Sequence, residues 1–133
     1  MTNANEPYTA IQVVMMPRDT NPFGTIFGGV ILSYIDVAGS IGARHAVAQW
    51  GGPSLAFVTV AINRVEFKQP VLVGDVMRFL TSVVRVGTTS ITIKIQVVAE
   101  RGATLLAVTE AEAVYVGVDA SLPPDQRRPV PLR

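Results

Sequence analysis

The sequence predicts an α+β domain in which a curved antiparallel sheet wraps one long central helix. Three observations carry this reading. Between about residues 29 and 48 no proline intrudes, and Val30, Ile31, Ile35, Ala38, Ile41 and Gly42 recur at spacings of three and four, which is helical periodicity. In four later runs apolar and polar residues alternate with the period of two that belongs to strands. Short turn-forming segments separate those runs. With 133 residues there is room for one real core and not for two. We read 1–133 as a single domain, with its core at about 8–118 and a Pro-rich C-terminal tail at 119–133.

The first strand is expected at about 8–16, a stretch rich in Val, Ile and Met that stops at Pro17. Residues 18–29 follow as a loop, since Asp19, Thr20, Asn21 and Pro22 precede glycines at 24, 28 and 29, a density of turn formers that no helix or strand interior tolerates. The helix comes next. At about 20 residues and about 1.5 Å each it is roughly 30 Å long, the diameter of a small domain. Leu32, Tyr34, Val37 and Val47 lie outside its main apolar stripe, so burial on most sides is expected. Trp50, Gly51, Gly52 and Pro53 end it. Strands are expected at about 55–67, 75–86, 89–101 and 104–118. In the third of these Ile91, Ile93, Ile95 and Val97 share one face and Thr92, Lys94 and Gln96 the other. The connections, Gln69 to Gly74, then Gly87, then Gly102, are short enough to suggest that successive strands are antiparallel neighbours. In the tail, prolines at 123, 124, 129 and 131 predict irregular or extended chain.

Composition excludes several classes of function. Eleven basic and ten acidic residues leave a net charge of +1, so no global field favours nucleic acid or an anionic membrane. The absence of cysteine removes disulfides, a thiolate nucleophile and cysteine-ligated metal, and a single histidine disfavours zinc. No apolar run reaches the length of about 20 residues that spans a bilayer. Met1 to Pro7 is polar and lacks the pattern of a secretory signal, so a cytoplasmic protein is expected. At 49% hydrophobic and 16% charged the chain is apolar for a monomer, and part of its surface is expected in a subunit interface.

Few residues offer chemistry. Asp36 sits mid-helix among apolar neighbours, and a buried unpaired carboxylate costs several kcal/mol. It is either on a wet helix edge, paired with Arg44 or Arg18, or a general base tuned by its apolar setting. Asn21 and the Gly28-Gly29 pair precede and open the helix. They form either an ordinary capped turn or a ligand site, where free N–H groups and the helix dipole would hold an oxyanion. Gly87-Thr88-Thr89-Ser90 is either a plain hairpin turn or a set of hydroxyls for a polar ligand. Arg64, Lys68, Arg78, Arg85 and Lys94 read as solvated strand face, with one or two available to a phosphate. His45 and Trp50 read as packing or surface.

Taken together, Met16-Pro17-Arg18-Asp19-Thr20-Asn21-Pro22-Phe23-Gly24-Thr25-Ile26-Phe27-Gly28-Gly29 and Ile35-Asp36-Val37-Ala38-Gly39 resemble the acyl-CoA hydrolase family of hotdog-fold thioesterases, which includes small bacterial enzymes and the brain-type cytosolic acyl-CoA hydrolases. Val58-Thr59-Val60, Phe67-Lys68-Gln69-Pro70-Val71, Val73-Gly74-Asp75-Val76 and Val86-Gly87-Thr88-Thr89-Ser90 extend the likeness, in order, over about residues 11–118. The resemblance implies a hotdog fold and hydrolysis of acyl-CoA, with Asp36 as base or nucleophile and Asn21 reaching it from a partner subunit. It implies a dimer as the smallest active unit and a hexamer built as a trimer of dimers. Gly28 and Gly29 would serve the oxyanion and substrate, and Thr88, Thr89 and Ser90 coenzyme A. Thr88 stands where relatives often carry a basic residue, which puts a phosphate contact there in question. No cofactor or metal is implied, since coenzyme A belongs to substrate and product. The rivals are a hotdog hydratase or dehydratase, for which His45 is the only histidine, and a non-catalytic acyl-CoA-binding regulator.

Overall fold

The computed structural model describes residues 6–133; the first five positions of the polar N-terminal stretch lie outside the described residues. The strands are β1 (Tyr8–Val14), β2 (Ala56–Phe67), β3 (Val76–Val86), β4 (Ser90–Arg101) and β5 (Thr104–Val118), and the helix α1 is Gly28–Gln49. All five strands form one antiparallel sheet in the order β1-β3-β4-β5-β2. It carries α1 on its inner face, which is the hotdog arrangement. Gly51, at φ +72°, ends the helix in the left-handed conformation that glycine adopts without penalty, and the Gly51 and Gly52 N–H groups close back on the carbonyls of Ala48 and Val47.

β3-β4 and β4-β5 are neighbours, as their short turns require, and Gly102 supplies the positive φ of the tighter one. The expectation that β2 and β3 are neighbours fails: β2 pairs with β5 at one edge, and β3 pairs with β1 near the other. Three strand spacings amount to about 14 Å, and the eight residues from Lys68 to Asp75 reach about 27 Å when extended. A short connection therefore limits distance without dictating adjacency. β1 also ends sooner than its composition suggests. Met15, fully buried, leaves the ladder to exchange backbone hydrogen bonds with Gly74 and Asp75.

Ile31, Ile35, Ala38, Ala43, Ala46 and Val47 of α1 meet Met77 and Phe79 of β3, the alternating isoleucines of β4, and Ala111, Ala113 and Tyr115 of β5. At about 25 cal/mol for each Å² of apolar surface buried, this face supplies the main stabilisation of the helix. Burial on most sides is only partly realised. Val37 is 51% exposed in one chain, and on the edge strand β2 Val58 and Val60 are also open. The tail is irregular, as expected, with a turn at 120–122 and a short 3-10 helix at Pro124–Gln126, yet not loose. Val130 and Leu132 donate to the carbonyls of Gly117 and Thr88, and Leu132 is fully buried.

One acidic side chain is fully enclosed. Asp75 is 2% exposed and accepts two hydrogen bonds from Arg101 at 2.9 and 2.7 Å and one from the Leu72 N–H at 2.9 Å. The Arg101 guanidinium holds the Asp75 carboxyl below the usual range, against the opposing effect of burial. Arg101 also donates to the carbonyl of Pro70, and Val71 beside it accepts from the Ile26 N–H at 2.8 Å. This cluster fixes the crossing loop against the loop that carries Asn21.

Candidate functional site

Asp36 projects from the middle of α1 toward β2, half-buried. Neither Arg44 nor Arg18 pairs with it among the described residues. Its partner is Thr59, whose hydroxyl donates to Oδ1 at 2.6 Å. The other carboxylate oxygen accepts no hydrogen bond among the described residues, so it can bind a water or a substrate group. Thr59 lies opposite Tyr115 in the β2-β5 register, and the buried Tyr115 hydroxyl donates to the main-chain carbonyl of Asp36 at 2.8 Å. Burial, and secondarily the Asp36 charge, push the Tyr115 hydroxyl far above its ordinary pKa, so it remains a donor. Asp36 is thus held twice, by its side chain from β2 and by its backbone from β5.

Sequence reasoning passed over both contacts. The signal for Thr59 was a lone hydroxyl in the apolar run Val58-Thr59-Val60, and for Tyr115 a bulky aromatic after Ala111 and Ala113 on the inner face of β5.

Asn21 is half-buried and organises its own loop. Its Oδ1 accepts from the N–H groups of Phe23 and Thr25, and its Nδ2 donates to the Thr25 hydroxyl at 2.7 Å. One of its two amide hydrogens stays free of these bonds. No hydrogen bond joins Asn21 to Asp36 within one chain among the described residues. Gly28 and Gly29 form the first turn of α1, which has no side-chain cap, so its leading N–H groups stay available at the positive end of the helix dipole. A Cβ at Gly29 would meet nothing within 4 Å. Gly28 lines a recess of about 330 Å³ with Ile31, Phe67 and Val71.

At the β3-β4 turn, the Gly87 N–H donates to the Ser90 carbonyl, and the carbonyls of Thr88 and Thr89 accept from Leu132 and Gly117. The turn is braced from below by β5 and the tail. The hydroxyls of Thr88, Thr89 and Ser90 form no side-chain hydrogen bonds among the described residues and so remain available. Most of the strand cations are engaged: Arg64, Lys68, Arg78 and Lys94 pair with Glu66, Glu110, Glu100 and Glu110. His45 stacks flat on Tyr8 at 3.7 Å, and Arg133 lies over the ring of Trp50. Pockets of about 460 and 390 Å³ flank the Tyr8-His45 stack and do not include Asp36. No group of three or more His, Asp or Glu side chains among the described residues is arranged to hold a metal ion, and no helix among them is long and apolar enough to cross a membrane.

The thioesterase superfamily model matches residues 23–106, a span that holds Asp36, Thr59 and the β3-β4 turn. Over its whole length the chain is 35% identical to the acyl-CoA thioester hydrolase YciA of Salmonella typhimurium, covering 97% of that protein. It is similar in structure to Cj0915, a hexameric hotdog fold thioesterase of Campylobacter jejuni, with TM-score 0.77 and 38% identity over 97% of this chain and 92% of the other. It is also similar to the hexameric thioesterase y2039 of Yersinia pestis, with TM-score 0.79 and 35% identity over 94% and 96% of the two chains.

Proposed function

This chain belongs to the thioesterase superfamily, and we propose that within it the enzyme hydrolyses the thioester of acyl-coenzyme A to a free carboxylic acid and coenzyme A. The observation that carries the reading is the half-buried Asp36 carboxylate, with one oxygen engaged by Thr59 and the other free. As a general base, the free oxygen takes a proton from water as the water oxygen bonds to the thioester carbonyl carbon. The carbonyl becomes an oxyanion, the C–S bond then breaks, and the departing sulfur recovers the proton. As a nucleophile, the same oxygen attacks the carbonyl carbon and expels the thiolate, leaving a mixed anhydride that water cleaves. Single-turnover hydrolysis in oxygen-18 water separates the two, because label enters Asp36 only by the second route.

The Gly28 and Gly29 amides are the donors proposed for the oxyanion. The partner subunit's Asn21 is proposed to orient the attacking group or the carbonyl with its spare amide hydrogen. The free hydroxyls of Thr88, Thr89 and Ser90 are proposed to hold coenzyme A. No cofactor enters this scheme.

The active unit is proposed to be a dimer, assembled into a hexamer as a trimer of dimers. Two observations support this: the relatives described as hexameric, and the edge strand β2, whose Val58, Val60 and Ile62 are exposed, as is Val37 of α1. A long apolar edge of this kind is normally covered. The decisive experiment is thiol release from a panel of acyl-CoAs of increasing chain length, for the wild type and Asp36→Asn. The absence of cysteine gives the assay no protein thiol background. A fall in turnover of two or more orders of magnitude in a variant that still assembles supports the reaction and the role of Asp36 together. Turnover that survives the substitution removes Asp36 from the mechanism, and no turnover on any substrate removes the reaction.

A further inference from the structure

We infer that Tyr115 and Gly39 form a positioning device for Asp36, one that sets the location of its carboxylate without touching substrate. The inference rests on the thioesterase reading of the site. Tyr115 is completely buried on the inner face of β5, and its hydroxyl lies within reach of the Asp36 charge. It donates to the carbonyl oxygen of Asp36 at 2.8 Å. A carbonyl within a helix already accepts from the N–H four residues on, here Ser40, and has a second lone pair to offer. Tyr115 takes that lone pair, and so ties one turn of α1 to one row of the sheet.

Gly39 makes the tie possible. A Cβ built there would lie 1.9 Å from the Tyr115 hydroxyl oxygen and 2.6 and 2.8 Å from two of its ring carbons. Any side chain would therefore evict the phenol. The glycine also carries a cost, since in a helix interior it is less favourable than alanine; at this position it buries the phenol hydroxyl beneath the residue that bears the carboxylate.

The same row of the sheet completes the geometry. Thr59 is the β2 residue paired with Tyr115, and its hydroxyl donates to Asp36 Oδ1. Two strands that are themselves hydrogen-bonded thus grip the two ends of one residue. Reactions of this kind are steep in position, and a displacement of about 1 Å costs as much as a hundredfold in rate. The Tyr115 hydroxyl stays protonated because burial disfavours its anion, so the tie does not switch off in the working pH range.

The test is steady-state kinetics of Tyr115→Phe on an acyl-CoA that the wild type turns over, with thermal midpoint and assembly measured alongside. We expect kcat to fall tenfold or more, KM to stay within about twofold, and oligomeric mass to be unchanged. Thr81→Val serves as the stability control. It removes a buried hydroxyl bond to the Tyr8 carbonyl, away from Asp36, and should lower the midpoint with wild-type kcat. A Tyr115→Phe enzyme with wild-type kcat overturns the inference and leaves the thioesterase reading intact; a wild type without turnover overturns both. If the phenylalanine variant does not assemble, 4-fluorophenylalanine at position 115 fills nearly the volume of tyrosine with no donor. There a kcat lower by tenfold or more at unchanged KM is expected, and wild-type kcat overturns the inference.

Discussion

Thr59 illustrates how much one hydroxyl decides at the scale of a residue. A carboxylate on a helix has several rotamers, and the 2.6 Å bond from Thr59 selects one. It also occupies one oxygen and leaves the other free for the role proposed for it. Thr59→Val keeps the shape of the strand residue and removes the donor. We expect kcat to drop by about tenfold, the order of one lost hydrogen bond to a charged group, with thermal stability close to wild type because the site is partly solvated. Steady-state kinetics and a melting curve on the same preparation check both halves of this expectation.

Among the elements, the crossing loop between β2 and β3 and the C-terminal tail are each held by one buried side chain. The loop hangs on Asp75. A carboxyl whose pKa is held down in the folded state contributes stability that is present above the ordinary aspartate value of about 3.9 and is lost as pH falls through the lowered one. Arg101 stays charged throughout. Urea midpoints of the wild type should therefore fall between pH 5 and the acid limit by more than those of Asp75→Asn, which has no charge to lose. At neutral pH Asp75→Ala should cost about 2 kcal/mol, below the range for a fully buried pair because the half-exposed Arg101 regains water. The tail is held by Leu132, which fills the space left by Gly52 and Gly117. Leu132→Ala should cost about 2 to 4 kcal/mol, read as a lower urea midpoint, and should loosen the Thr88 turn that Leu132 braces.

For the whole molecule, the open feature is the β2 edge. Val60 is 61% exposed and Val58 and Val37 each 51%, and β2 has no strand neighbour beyond it among the described residues. We expect Val60→Asp to lower the mass measured by light scattering and to abolish turnover although Asp36 and Thr59 are untouched, because the Asn21 proposed to reach the site from the partner subunit is then lost. A monomer that keeps full activity would show that one chain suffices.

The extent of each element was legible in the sequence, because alternation in strands, the three-and-four spacing in α1 and the glycine and proline stops are local properties of the chain. Strand ends fell within two residues, the largest difference being at the end of β1, where Met15 exchanged ladder pairing for bonds to the Gly74-Asp75 turn. Asp36 was legible as a carboxylate out of place in an apolar helix, and its likeness to a family singled it out further. What the tertiary structure alone decided was adjacency. The β2-β3 connection was short enough to suggest a hairpin and long enough to cross the sheet, and only the pairing of β2 with β5 chose between them. That choice brings Thr59 to Asp36 across 23 positions and Tyr115 to it across 79. Neither separation leaves a mark on periodicity, because a contact between distant segments depends on how a curved sheet closes over its helix and not on the order of residues within any one element.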